Sequence, residues 1–178
     1  GGQAQDNHVT MSGGSVGQHL IGGYVQSGSG EASGNSVTFN GGSVANNIYG
    51  GMSAAGLVQS NNVIMTNGSA KWLLGGYSNS GDVSGNSVNV SGGTLTGVSG
   101  GESNSGSATG NIVSISGGTV HGNVNGGFVA SDNGKATGNI VNISGKADLS
   151  GAVVAGGSSP DGDAFTDNTL NKNSDAAV

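Results

Sequence analysis

An asparagine returns seven times along the chain, at Asn7, Asn35, Asn61, Asn86, Asn111, Asn139 and Asn168. Two residues after it stands Val9, Val37, Val63, Val88, Val113, Val141 or Leu170. Four residues after it stands Met11, Phe39, Met65, Val90, Ile115, Ile143 or Lys172. The residues between these, Thr10, Thr38, Ser114 and Asn142 among them, are mostly polar. Such alternation is the two-residue period of a strand with one face on a core and one on water. A strand that recurs at intervals of 25 to 29 residues marks a repeat architecture.

Glycine divides the rest of each copy. A first corner falls at Gly13, Gly41, Asn67, Gly92, Gly117 and Gly145. Asparagine tolerates the left-handed region better than other non-glycine residues, so Asn67 predicts a positive φ at this position. Apolar pairs follow: Val16 with Leu20, Val44 with Ile48, Ala70 with Leu73, Leu95 with Val98, Val120 with Val124, Leu149 with Val153. Each copy then meets Gly-Gly, from Gly22-Gly23 to Gly156-Gly157. A looser polar side ends on a small residue (Ala32, Val58, Val83, Ala108, Ala136 or Ala164) and leads back to asparagine.

Three short strands and three bends per copy predict an all-β parallel β-solenoid of about seven rungs. About 25 residues per rung with unequal sides suits a right-handed β-helix. Like residues in register favour parallel stacking over an antiparallel sandwich, whose hairpins would call for Asn-Gly or Asp-Gly turns. Residues 1–178 then form a single solenoid segment, with the copy at 168–178 degraded into a cap or a junction. There Lys172 takes an apolar place and Ser174 a glycine's. The chain opens Gly1-Gly2 without methionine, as a segment of something longer would.

Composition sets limits on function. With 39 glycines and aromatics at 4%, large side chains are too few for a broad two-layer core, but a narrow coil needs few. Cysteine and arginine are absent and the net charge is −6, so thiol chemistry and a nucleic-acid surface are not expected. No stretch of 18 apolar residues offers a membrane-spanning helix.

Two sets of residues are candidates for a role. The seven asparagines, if turned inward at a bend, can stack as an amide ladder that satisfies donors and acceptors together. Tyr24, Met52, Tyr77 and Phe128 follow the second corner and form a candidate contact column, interrupted by Glu102 and Ser158. Exposed rings along a rod suit sugar stacking or a protein partner; the plainer reading is that they shield the glycines.

No cofactor or metal site is expected. His8, His19 and His121 occupy different places in the repeat, and no metal-binding spacing is present. Asp161, Asp163 and Asp167 read as a solvated acidic loop without the closing glutamate of a calcium loop. Polysaccharide-degrading β-helices need clustered carboxylates. Glu31 and Asp82 share a column here but lie two rungs apart, about 10 Å. The chain therefore reads as non-enzymatic.

The unit GG-x-V-x-G-x-V-x-GG followed by G-x-A-x-G-N-x-V-x-I-S-GG, clearest from Gly117 to Gly145, resembles the passenger repeats of bacterial autotransporters, the type V secreted adhesin-like proteins. The resemblance spans nearly the whole chain. It implies a right-handed β-helix, secreted or held at a Gram-negative cell surface, acting as an adhesin or stalk. Its partner would be a host or bacterial surface glycan or protein. No catalytic residues carry over. An extracellular filament that assembles end to end, and a polysaccharide-degrading enzyme, are the alternatives.

Overall fold

In a computed structural model that describes residues 2–160, 166–173 and 177–178, the chain is a parallel β-solenoid. Asp161, Asp163, Ala164 and Ser174 lie outside the described residues. Three parallel sheets run the length of the coil. The first stacks two-residue strands, from Ala4–Gln5 and Ala32–Ser33 to Ala136–Thr137. The second stacks seven strands from His8–Met11 to Thr169–Lys172. The third holds the longest strands, Ser69–Ser78 and Thr94–Ser103.

Like residues lie over one another. Val63 pairs with Val88, and Val88 with Val113. There are about six turns. The seven asparagines mark seven starts, and the strand Thr169–Lys172 opens a further turn without completing it.

One apolar column fills the interior between the second and third sheets, with Val37, Phe39, Val63, Met65, Val88 and Leu73 fully buried. Smaller clusters lie under the first sheet: Val25, Ala32, Val58 and Val83, then Ala108, Val129 and Ala136. Each rung buries its apolar face against its neighbours, so stability accumulates along the stack. Leu170 shares the Val141 column, yet it is 48% exposed because no described rung covers it.

Of the corner column expected to be left-handed, Gly145 alone takes a positive φ, 60°. Asn67 does not take a positive φ; that conformation comes one residue later, at Gly14, Gly42, Gly68, Gly93 and Gly118. Asn67 instead caps the bend, its Oδ1 accepting from the Gly68 N–H at 2.8 Å. A second left-handed column stands immediately before the asparagines and contains Asp6, Ser60 and Asp167. These are the non-glycine residues with positive φ among those described, so this bend is enforced even where no glycine serves it.

Another pairing shifts by one residue. Val153 stacks on Asn123 and is 69% exposed, while Val154 takes the place over Val124. The inward partner of Leu149 is therefore Val154.

Rung length is decided at two places. Ala70–Leu73 and Leu95–Val98 are one residue shorter than Val16–Leu20, Val44–Ile48 and Val120–Val124. On the third side, buried Ser53, Ser78 and Ser103 accept from the N–H of Gly56, Gly81 and Gly106 at 2.9, 2.9 and 2.8 Å. Their hydroxyls donate to the carbonyls of Gly30, Gly56 and Gly81 one rung back, at 2.8, 3.0 and 2.9 Å. Rungs with Val25 or Val129 in that place take two more residues to reach Gly30 or Gly134. Together the two choices reproduce the ladder intervals of 28, 26, 25, 25 and 28 residues.

Candidate functional site

The seven asparagines lie on a single line inside the coil, and five of them, Asn35, Asn61, Asn86, Asn111 and Asn139, are at most 1% exposed. Asn35 shows the pattern. Its backbone N–H and its Nδ2 both donate to Asn61 Oδ1 at 2.9 Å, and the other Nδ2 hydrogen goes to the Ala4 carbonyl at 2.8 Å. The pattern repeats up to Asn168, whose Nδ2 donates to the Ala136 carbonyl. A buried amide in low dielectric is costly unless paired, and from Asn35 to Asn139 both amide hydrogens and the Oδ1 of every ladder side chain have partners. These five side chains have no surface to offer a ligand, while Asn7 at the end of the ladder is exposed.

The ladder shapes the outside of the rod. Each amide from Asn35 to Asn168 lies against the second glycine of a Gly-Gly pair: a Cβ on Gly101 would come within 2.6 Å of Asn111 Cγ, Nδ2 and Oδ1. The strand therefore carries on through the pair but folds outward around the ladder. Residues before and after the glycines then converge on the outer face. This explains why Leu73 and Leu74 are both buried, at 0% and 3%, one toward the core and one into an outer groove.

The groove has a volume of about 300 Å³ and is walled by Tyr49, Trp72, Tyr77 and Phe128, with Leu74 and Glu102 between them. Asn47, Asn123 and Asn125 complete the lining. Trp72 lies across the neighbouring rung, its ring 2.6 Å from where a Gly97 Cβ would stand. The glycine is what lets the indole lie flat. Tyr49 meets Tyr77 near edge-on at 5.9 Å between centroids, and His19 tilts onto Tyr49 at 5.6 Å. Asn47 Nδ2 donates to the Tyr49 hydroxyl at 2.8 Å, and Asn104 Nδ2 to the Tyr77 hydroxyl at 2.9 Å.

Glu102 is the chemical centre of the groove. It stacks between Tyr77 on one rung and Phe128 on the next. Burial raises its carboxyl above the usual carboxylate range. The Tyr49 and Tyr77 phenols are pushed up by burial as well, and secondarily by the Glu102 charge. No side chain among the described residues donates a hydrogen bond to Glu102 or forms an ion pair with it.

The expected contact column is in register, Tyr24 over Met52, Met52 over Tyr77, Tyr77 over Glu102 and Glu102 over Phe128. The groove takes only part of it. Tyr77 and Phe128 line the wall, whereas Tyr24 stands 49% exposed and, like Met52, outside it. Glu102, which interrupts the aromatic column, is what gives the groove its charge. Tyr49, Trp72, Asn123 and Asn125 were not singled out by sequence. The available signal was the alternation before each Gly-Gly, where Asn47 and Tyr49, Trp72 and Leu74, Asn123 and Asn125 flank an inward residue.

The carboxylates weighed for catalysis are engaged elsewhere. Glu31 Oε1 accepts from Gln59 Nε2 at 2.7 Å, and Asp82 Oδ1 accepts from the Ser107 N–H at 2.8 Å. Among the described residues no three His, Cys, Asp or Glu side chains gather as a metal would require, and no helix is long and apolar enough to cross a membrane. No known protein family matches this chain, and neither does any curated protein or solved structure.

Proposed function

We propose that this chain is a non-enzymatic contact rod, a segment of an extracellular or cell-surface passenger of the autotransporter kind, that binds its partner through the aromatic groove. The observation that carries this reading is where the large side chains lie. A chain with one tryptophan, three tyrosines and three phenylalanines sets Tyr49, Trp72, Tyr77 and Phe128 around one outer depression. Trp72, Tyr77 and Phe128 are partly open to water beside buried Tyr49; flat rings so placed gain from contact with a ligand, and a repeat scaffold holds them rigidly. The groove faces sideways, which favours contact along the rod over end-to-end assembly.

Beads coated with the chain test the reading against a panel of bacterial and animal cells. Attachment that Trp72→Ala reduces severalfold, with the far-ultraviolet spectrum unchanged, is the expected result. Attachment to no cell type, or attachment indifferent to Trp72→Ala, overturns it.

A further inference from the structure

We propose that the groove binds an alkylated ammonium group, held against the rings of Tyr49, Trp72, Tyr77 and Phe128 and neutralised by Glu102. The inference rests on the contact reading above and supplies the ligand's chemistry.

The argument begins with a carboxylate that has no counter-charge. Glu102 lies in a groove walled by four aromatic rings, and no charge among the described residues balances it. No lysine lines the groove; the nearby Lys71 Nζ donates instead to Asn46 Oδ1 at 3.0 Å. A half-buried charge without a partner costs stability that a ligand of opposite sign recovers.

A metal ion is a poor candidate. Hard cations need six or more oxygen ligands, and one carboxylate beside rings supplies too few. A neutral sugar matches less well than a cation, because Asn47 and Asn104 spend an Nδ2 hydrogen on tyrosine hydroxyls and Glu102 offers charge as well as an acceptor. Aromatic faces carry negative quadrupoles that attract cations within about 6 Å, most strongly where tryptophan contributes and water is displaced. Four rings and a carboxylate lining one groove match an ammonium with carbon substituents. Asn125, 7% exposed and with no side-chain hydrogen bond to a described residue, adds an acceptor in the lining for a hydroxyl borne by the same ligand.

Trp72 is the chain's single tryptophan, so its fluorescence reports on the groove directly. The full chain is titrated with choline, with 3,3-dimethylbutan-1-ol (the same shape without charge) and with methyl β-glucopyranoside. Choline is expected to give a saturable change, and the neutral isostere to bind at least roughly tenfold more weakly. Glu102→Gln is expected to weaken choline by roughly tenfold or more without changing the far-ultraviolet spectrum.

Equal binding of choline and its isostere, no response to choline, or indifference to Glu102→Gln each overturns the proposal. The comparison of the two alcohols needs no variant, so it decides even if Glu102→Gln folds poorly. Saturation by the glucoside alone, with cell attachment still lost in Trp72→Ala, removes the ammonium and keeps the contact rod. Absence of both attachment and choline binding removes the two together.

Discussion

Gly92-Gly93 and Gly100-Gly101 are the same dipeptide in the same turn of the coil, and the chain needs them for different reasons. At Gly93 the requirement is conformational and steric together: φ is 96°, a value that L side chains rarely adopt, and a Cβ would come within 2.3 Å of Met65 Cε and 2.7 Å of the Gly68 carbonyl oxygen. At Gly101 φ is not positive, and the obstacle is volume, because the Asn111 amide fills the space a Cβ would occupy. Both glycines make room, but only the first also bends the backbone into the left-handed region. Only the second corner couples the interior to the surface, since the strand that folds around the ladder also brings Trp72 and Leu74 opposite Tyr77 and Glu102.

The sharpest way to break this distinction is a double-mutant cycle at the second corner. Gly101→Ala drives a methyl into an amide fixed by hydrogen bonds and is expected to cost about 3 kcal/mol or more in urea unfolding. Asn111→Ala leaves Asn86 N–H, Asn86 Nδ2 and the Val83 carbonyl short of their partner, with Asn139 Oδ1 losing one donor. It is expected to cost a comparable amount, about 3 kcal/mol. Combined, the two should cost at least about 1 kcal/mol less than their sum, because removing the amide relieves the methyl's clash. Strict additivity would mean that the glycine serves the backbone after all.

A smaller effect isolates the first corner. Gly13 and Gly14 sit on the first rung, where a Cβ on either would meet nothing within 4 Å. They differ in conformation: Gly14 has φ of 80°, and Gly13 is not in the positive region. Gly14→Ala is therefore expected to destabilise by about 1 kcal/mol, the cost of a left-handed L-residue, and Gly13→Ala to be near neutral. Equal losses in thermal melts would show that φ is not the cause.

The two corners also show what was legible in the sequence. The inward columns from Val9 to Val141 could be read because a core forces strict alternation, and any polar residue there would be punished. The ladder was legible for the same reason: a buried amide at a fixed place must pair with its own kind. The positive φ lies one residue beyond the corner the sequence suggests, except at Gly145, because Asn67 suits two jobs, a left-handed residue and a turn acceptor, and its Oδ1 does the second. Ser53, Ser78 and Ser103 escaped because serine is ordinary in a polar loop; only their shared three-residue distance to Gly56, Gly81 and Gly106 gave them away. The groove was hidden for a different reason. It is built by outward residues from three strands, where nothing enforces periodicity, and its charged member looked like a defect in an aromatic column.

The smallest expected effect asks whether that member belongs to the scaffold or to a ligand. Burial raises the Glu102 carboxyl in the folded chain above its unfolded value, so folding favours the protonated form. The stability this gives is complete below the ordinary carboxylate range and is lost as pH rises through the raised value. At pH 7 the ionised side chain is thus a cost, and Glu102→Gln should raise the melting temperature by no more than about 2–4 °C. At a pH below the carboxylate range the gain should vanish. Asp148 runs the other way, its carboxyl held low by hydrogen bonds from the Ser150 hydroxyl and N–H, but it is common to both proteins and cancels in the difference. A residue kept for the scaffold would lose stability on substitution at every pH. A gain confined to neutral pH is what a residue retained for a ligand produces, because its charge is answered only when the groove is filled.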